Sequence, residues 1–184
     1  MATPALYTNT PSSEVNSPFE VIADFFQSGL PGEHRKDLKK WRHYVINDEQ
    51  FKSRHGAVYL LSVYEETIQL IEAAHLLLAS GNSMMFLSNE NITESQIEQE
   101  RKDWEFFPHN LSEKEILNPL AVIKRFFKRI TLKQYKEYLH EWLRIALSDK
   151  AVLETLTARE VIEVYDNLRK LYSATWLIHQ RKCR

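Results

Sequence analysis

The sequence predicts an all-α fold, and three observations lead to that prediction. The chain has only 4 glycines in 184 residues, where average usage would give about 13. Apolar residues recur at steps of three and four, which is the period of one helix face. The Ser/Thr-x-x-Glu/Gln patterns that begin at Ser112, Thr131 and Thr157, typical of helix N-termini, divide the second half of the chain. We therefore expect roughly six to eight helices around a long, buried central helix, with little or no sheet.

The N-terminal residues differ in composition from the rest. They are rich in Ser, Thr, Asn and Pro, so we expect a disordered tail over residues 1–16 and a single domain over residues 17–184. Ser17-Pro18 is typical of a helix start, with an N-cap followed by proline at the first helical position. Gly29 should end this first helix.

Two longer helices are expected next. A charged surface helix over about residues 33–46 has the apolar stripe Leu38, Trp41 and Val45. The third helix, over about residues 53–80, is apolar on almost every side and is expected at the centre of the fold. Its most regular stripe consists of Leu61, Tyr64, Ile68, Ile71, His75 and Leu78.

The second half of the chain contains the clearest helix starts. Residues 84–87 form a short apolar run that fits either a lone strand or a packed loop, and an acidic helix follows over about residues 93–106. Pro119 suits the first turn of a further helix or a kink. The three capping boxes, which should each open a helix, begin at Ser112, Thr131 and Thr157.

Composition and motifs exclude several classes of function. The chain lacks the G-x-G-x-x-G, G-x-x-x-x-G-K-[ST] and G-x-S-x-G patterns of dinucleotide sites, phosphate loops and nucleophile elbows. A formal net charge of −1 gives no global attraction to nucleic acid. The single cysteine, Cys183, permits no internal disulfide. Without a signal-like segment or a run long enough to span a bilayer, we expect a soluble, cytoplasmic protein.

Two Glu-x-x-His pairs suggest a dimetal site, because residues three apart share a helix face. They are Glu72 with His75, and Glu137 with His140. His75 falls near the centre of its apolar stripe, where a core histidine bonded to a neighbour is the simpler interpretation. Glu137 and His140 fall on the polar side of their helix. We therefore expect neither metal nor cofactor, and keep these four residues as weak candidates.

Two clusters of basic residues suggest nucleic-acid binding, provided that their helices lie side by side. The alternative is an ordinary solvated surface, with basic helices paired to the acidic ones. The first cluster, over residues 35–42, contains Arg35, Lys36, Lys39, Lys40 and Arg42. The second, over residues 124–136, contains Lys124, Arg125, Lys128, Arg129, Lys133 and Lys136.

Aromatic residues supply the last candidates. Most of them fall at helical spacing and should lie in the core. Trp104 and Phe107 belong to a run of aromatics at a helix end that cannot all face one core, and Trp176 lies late in the last helix. We expect these three residues to contribute to an interaction surface.

No catalytic constellation emerges from these patterns, so we do not expect an enzyme. The leading hypothesis is a non-enzymatic helical module that binds a protein partner or self-associates. Nucleic-acid binding through the two basic clusters is the alternative, and a dimetal carboxylate enzyme is a third. No membrane partner is expected.

Overall fold

The computed structural model describes residues 17–47, 49–52, 56–79, 92–148 and 156–182. Throughout these residues the regular secondary structure is α-helix alone, in one domain, which confirms the predicted fold class. The tail expected at 1–16 and the apolar run 84–87 lie outside the described residues. The helices are α1 (Pro18–Ser28), α2 (Pro31–Ile46), α3 (Gly56–Ala79), α4 (Glu94–Asp103), α5 (Glu113–Leu117), α6 (Pro119–Arg129), α7 (Leu132–Leu147) and α8 (Ala158–Lys182).

The three predicted capping boxes are confirmed and open α5, α7 and α8. Ser112, Thr131 and Thr157 each accept a hydrogen bond from the backbone N–H three residues later. The Glu or Gln at that later position accepts one from the backbone N–H of the cap. Each box thereby satisfies two N–H groups that a helix end leaves unpaired. Pro119 begins a separate helix, α6.

Two long helices, α3 and α8, organise the packing. Helices α1, α2 and α6 contact both of them, and α7 packs against α3 and α2. Residues 171–178 of α8 are buried without interruption, so neighbours surround that part of the helix on every side. In the described part of the chain, no helix combines the length and apolarity needed to cross a bilayer.

Helix α3 buries a different face from the one that its apolar stripe predicts. Leu61 and His75 belong to that stripe, yet both are exposed. The buried face is centred on Thr67 and Ala74, about a quarter turn away at 100° per residue. Apolar positions occur on several sides of α3, so their spacing does not identify a single buried face. His75, expected in the core, instead lies at the surface with its ring 5.1 Å from that of Phe127.

Polar contacts hold the segment between α4 and α5 against α8. The Trp176 indole donates to the Phe106 carbonyl at 2.8 Å. The Ser173 hydroxyl donates to the Asn110 side-chain oxygen at 2.6 Å, and the Asn110 amide donates to the Arg169 carbonyl at 3.1 Å. Non-helical backbone needs such partners when it packs against a core, because its own groups are not paired in a regular element.

A buried ion pair joins α4 to the end of α8. The Glu100 carboxylate is fully buried and accepts two hydrogen bonds from Arg181, at 2.7 and 3.0 Å. Arg181 also donates to the Ile116 carbonyl at 2.7 Å. Two parallel bonds with a planar guanidinium are the strongest arrangement for such a pair, and they fix the position of α4 relative to α8.

A second carboxylate, that of Glu115, is nearly buried. It accepts hydrogen bonds at 2.8 Å from Lys170 and from Arg125, and one at 2.9 Å from the Ser112 backbone. Burial acts to raise the pKa of Glu115, but the bonds from Lys170 and Ser112 hold it below its ordinary value. The charged form of Glu115 therefore stabilises the junction of α5 with α8.

The Glu100–Arg181 pair yields a stability prediction. Glu100→Gln leaves the guanidinium buried beside a neutral side chain, so the free energy of unfolding should fall by about 3 to 5 kcal/mol. Chemical denaturation measures this change. The control is Glu98→Gln on the exposed side of the same helix, which should shift stability by no more than about 0.5 kcal/mol. Equal effects of the two substitutions would contradict the importance of the pair.

His179 lies in an aromatic cluster between α1 and α8. Its ring is 5.8 Å from those of Phe26 and Trp176, which are themselves 5.0 Å apart. Burial lowers the pKa of His179 from its ordinary value. A charged imidazole is thus less favourable in the folded chain than in the unfolded chain.

The lowered pKa of His179 determines the direction in which the free energy of unfolding changes with pH. As the pH falls below about 6.5, the unfolded chain takes up a proton at this site before the folded chain does. The free energy of unfolding should therefore decrease from pH 7 toward pH 5. His179→Gln should make that decrease shallower, as measured by urea denaturation across the range. An unchanged slope in the variant would contradict this role of His179.

Candidate functional site

Most of the basic residues predicted on α6 and α7 face carboxylates. Lys124 and Lys128, one turn apart, are exposed and face no acid among the described residues. The other four are paired: Arg125 with Glu115 at 2.8 Å, Arg129 with Glu163 at 3.9 Å, Lys133 with Glu137 at 3.7 Å, and Lys136 with Glu72. Three of these pairs join different helices, and the Lys133–Glu137 pair lies within α7.

The basic residues of α2 lie on another side of the molecule. Lys36 and Lys39 are exposed, and the Lys40 ammonium lies 5.0 Å from the centre of the Phe51 ring. Helices α2 and α6 both pack against α8. Arg129 of α6 approaches position 163 of α8, whereas Arg42 of α2 lies over position 165. Positions two residues apart point about 200° apart, so the two clusters do not form one face.

The four weak metal candidates do not converge. Glu72 pairs with Lys136, and His140 is exposed with its ring 6.4 Å from that of Tyr64. His75 lies three turns beyond Tyr64 on α3, so the two histidines are about 16 Å apart along that helix. Across the described ranges, no three His, Cys, Asp or Glu side chains come together in a way that would hold a metal ion.

The aromatic candidates lie mainly inside the molecule. Phe107 and Trp176 are buried, and the Trp176 indole bonds to the Phe106 carbonyl. Trp104 is partly buried, with its ring 6.3 Å from that of Phe107. The segment after α4 turns back onto α8 and thereby encloses the rings that we expected at a surface.

A cleft of about 450 Å³ opens between α1, α2 and the first half of α3. Its polar groups largely satisfy one another. Ser28 and Ser62 donate hydrogen bonds to the Glu66 carboxylate at 3.2 and 3.0 Å. Burial raises the pKa of Tyr59, and its hydrogen bond to Asp37 raises it further. The cleft is therefore a polar recess in which Glu66 and Tyr59 are already hydrogen-bonded within the chain.

An outer stripe follows the solvent side of α3. It consists of Val58, Leu61, Glu65, Gln69, Glu72, Leu76 and Ala79, at steps of three and four residues. Val58 is 77% exposed, Leu61 41% and Leu76 46%. Aliphatic side chains thus lie near both ends of the stripe, and polar ones occupy its middle. Sequence reasoning missed this surface because it assigned these aliphatic residues to the core.

An arginine cluster lies where α2 packs against α8, formed by Arg35, Arg42 and Arg169. Arg42 lies over the Tyr165 ring at 4.2 Å, and Arg169 approaches the same ring at 5.5 Å. Arg35 reaches Ser173, with its Nη2 3.4 Å from the hydroxyl. Since Arg35 meets position 173 and Arg42 meets position 165, the two helices run antiparallel.

The arginine cluster has more hydrogen-bond donors than acceptors. The Nε–H groups of Arg35 and Arg42 are buried and have no hydrogen-bond partner among the described residues. Burial lowers the pKa of Arg35, and the charge of Arg169 lowers it further. The guanidinium of Arg35 therefore has a less favourable environment than it would have in water.

Sequence reasoning found only part of this cluster. Arg35 and Arg42 are seven residues apart on α2, which is a signal that they share a face. Arg169 lies far along the chain, and no sequence signal places it between them. The register of α2 against α8 brings the three together.

No protein-family model, curated protein or solved structure matches the chain. A functional conclusion therefore depends on the geometry of this chain alone.

The arginine cluster yields a stability prediction. Arg35→Met removes an unpaired buried donor and the repulsion with Arg169 while it keeps an apolar side chain of similar length. The free energy of unfolding should rise by about 1 kcal/mol. Denaturation of Lys36→Met, an exposed neighbour with the same charge change, is the control and should differ from the original chain by less than about 0.5 kcal/mol. Destabilisation by Arg35→Met would contradict the unfavourable environment of Arg35.

Proposed function

We propose that the chain is a non-enzymatic helical interaction module that self-associates through the outer stripe of α3. The observation behind this proposal is the order of residue types along the stripe. Its two ends are aliphatic and its middle is polar, so the order reads nearly the same in both directions. A surface with this symmetry complements a second copy of itself.

The symmetry of the stripe favours an antiparallel pair of α3 helices about a two-fold axis. In that arrangement, Leu61 of one copy opposes Leu76 of the other, and Val58 opposes Ala79. Closed two-fold dimers are the most common assemblies of identical chains, and each surface patch then occurs twice in the interface. Burial of a leucine or valine side chain contributes about 1.5 to 3 kcal/mol.

Charges in the middle of the stripe are compatible with this pairing. Antiparallel alignment places Glu65 of one copy near Glu72 of the other. Two carboxylates alone would repel each other. Lys136, however, pairs with Glu72 and is itself partly exposed, so it offers an ammonium group to the second carboxylate.

Nucleic-acid binding has less support. Four of the six predicted cations on α6 and α7 already face carboxylates, and a phosphate backbone would have to displace them. The two basic clusters also lie on different sides of α8, so one nucleic-acid strand would not contact both along a continuous face.

We further propose that the protein acts in the cytoplasm, which the single cysteine favours.

Light scattering after size separation tests the self-association. The mass should rise from monomer to dimer as concentration increases over about 1 to 100 µM. Leu61→Arg/Leu76→Arg should keep the chain monomeric because it places charge in the apolar ends of the interface. The matched control is Leu30→Arg/Leu117→Arg, whose original side chains are 48% and 40% exposed outside the stripe. This control should still dimerise. A strict monomer, or equal behaviour of both variants, would contradict the proposal.

Disulfide formation tests the antiparallel alignment in a chain with Cys183→Ser. Position 69 lies beside the proposed two-fold axis, so Gln69→Cys should link two copies, since a disulfide needs Cα atoms within about 4.4 to 6.8 Å. Val58→Cys alone should not link, whereas a mixture with Ala79→Cys should. Self-linking of Val58→Cys would contradict the antiparallel order.

A further inference from the structure

The arginine cluster of α2 and α8 holds more positive charge than the surrounding residues neutralise. Asp166, 3.6 Å from Arg169, is the sole carboxylate paired with the cluster in the described part of the chain. Arg35 and Arg42 face no acid there, and each has an unpaired buried Nε–H. Unpaired donors and desolvated charges are unfavourable. The three arginine side chains are nevertheless partly exposed, so a partner from outside the chain can reach the positive charge that the chain itself does not neutralise.

Guanidinium chemistry selects the type of partner. Each guanidinium presents five N–H donors in a planar fork, which matches carboxylate and phosphate oxygens. A carboxylate has two oxygens and satisfies one fork well, whereas a phosphate monoester has three terminal oxygens and nearly two negative charges. We propose that the arginine cluster binds the phosphate group of a small phosphomonoester. This site is independent of the proposed self-association, because none of its residues belongs to the outer stripe.

The surroundings of the cluster favour a small monoester over a nucleic-acid backbone. Lys39 lies four residues after Arg35 and three before Arg42, so it shares their side of α2 and adds an exposed charge beside the site. A dianion balances this excess better than the single charge of a phosphodiester does. Single-strand binding also relies on exposed aromatic rings for base stacking, but the ring under Arg42, that of Tyr165, is buried.

Calorimetric titration with phenyl phosphate, and with inorganic phosphate as a second probe, tests the site. Saturable binding is expected at constant ionic strength. Arg35→Met/Arg42→Met should weaken it at least about tenfold, because each substitution removes a charge-assisted contact. Lys124→Met/Lys128→Met is the control, since it removes the same charge from exposed positions on α6. This control should retain the original affinity.

Further outcomes separate specific recognition from general attraction. Arg42→Lys keeps the charge but removes the planar fork, so it should also weaken binding. Equal weakening by the arginine and lysine double variants would overturn the site, as would the absence of saturable binding. Tighter binding of dimethyl phosphate or of a short single-stranded oligonucleotide than of phenyl phosphate would overturn the monoester assignment in favour of a nucleic-acid backbone.

Discussion

The complete burial of residues 171–178 in α8 is the constraint on which the rest of the structure depends. A helix buries all its sides only when neighbours surround it, and helices α1, α2, α5 and α6 all contact α8. The non-helical segment after α4 also packs on this part of α8 and brings backbone groups that no regular element pairs. Trp176 donates to the Phe106 carbonyl of this segment, and Asn110 of the segment bonds to Ser173 and to the Arg169 carbonyl of α8. The polar network around α8 is thus a consequence of its burial.

The same constraint determines which charges are neutralised inside the molecule. Glu100 and Glu115 lie where the segment after α4 meets α8, and cations of α8 pair with both. The neighbouring side of α8 packs against α2, with arginines at its edge and Asp166 as their sole paired counter-charge among the described residues. The register of α2 against α8 fixes these positions. The same packing arrangement therefore neutralises the charges on one side of α8 and leaves positive charge in excess on the other.

The sequence predicted those features that a single helix determines. Caps at Ser112, Thr131 and Thr157 and the buried stripe Leu38, Trp41 and Val45 of α2 depend on local spacing, and they were confirmed. The predicted buried face of α3 was wrong because the sequence of an almost entirely apolar helix does not show which side is buried and which is exposed. Phe107 was expected at a surface because the spacing of aromatic residues does not show that the segment after α4 turns back onto α8. The arginine cluster depends on the register between two distant helices, which no local pattern encodes.

An exposed aliphatic stripe and an unpaired arginine cluster are both unfavourable for an isolated chain, for opposite reasons. The stripe leaves apolar surface in water, whereas the cluster withdraws charge from water without a full set of counter-charges. Acids are not scarce in this chain, because Glu94 and Glu98 are exposed and make no ion pair among the described residues. The arginine cluster therefore lacks counter-charges because the acidic residues lie elsewhere in the structure, and not because the chain has too few of them. Surfaces that lower the stability of the chain in this way are typical of recognition sites, where a bound partner buries the apolar surface or neutralises the charge.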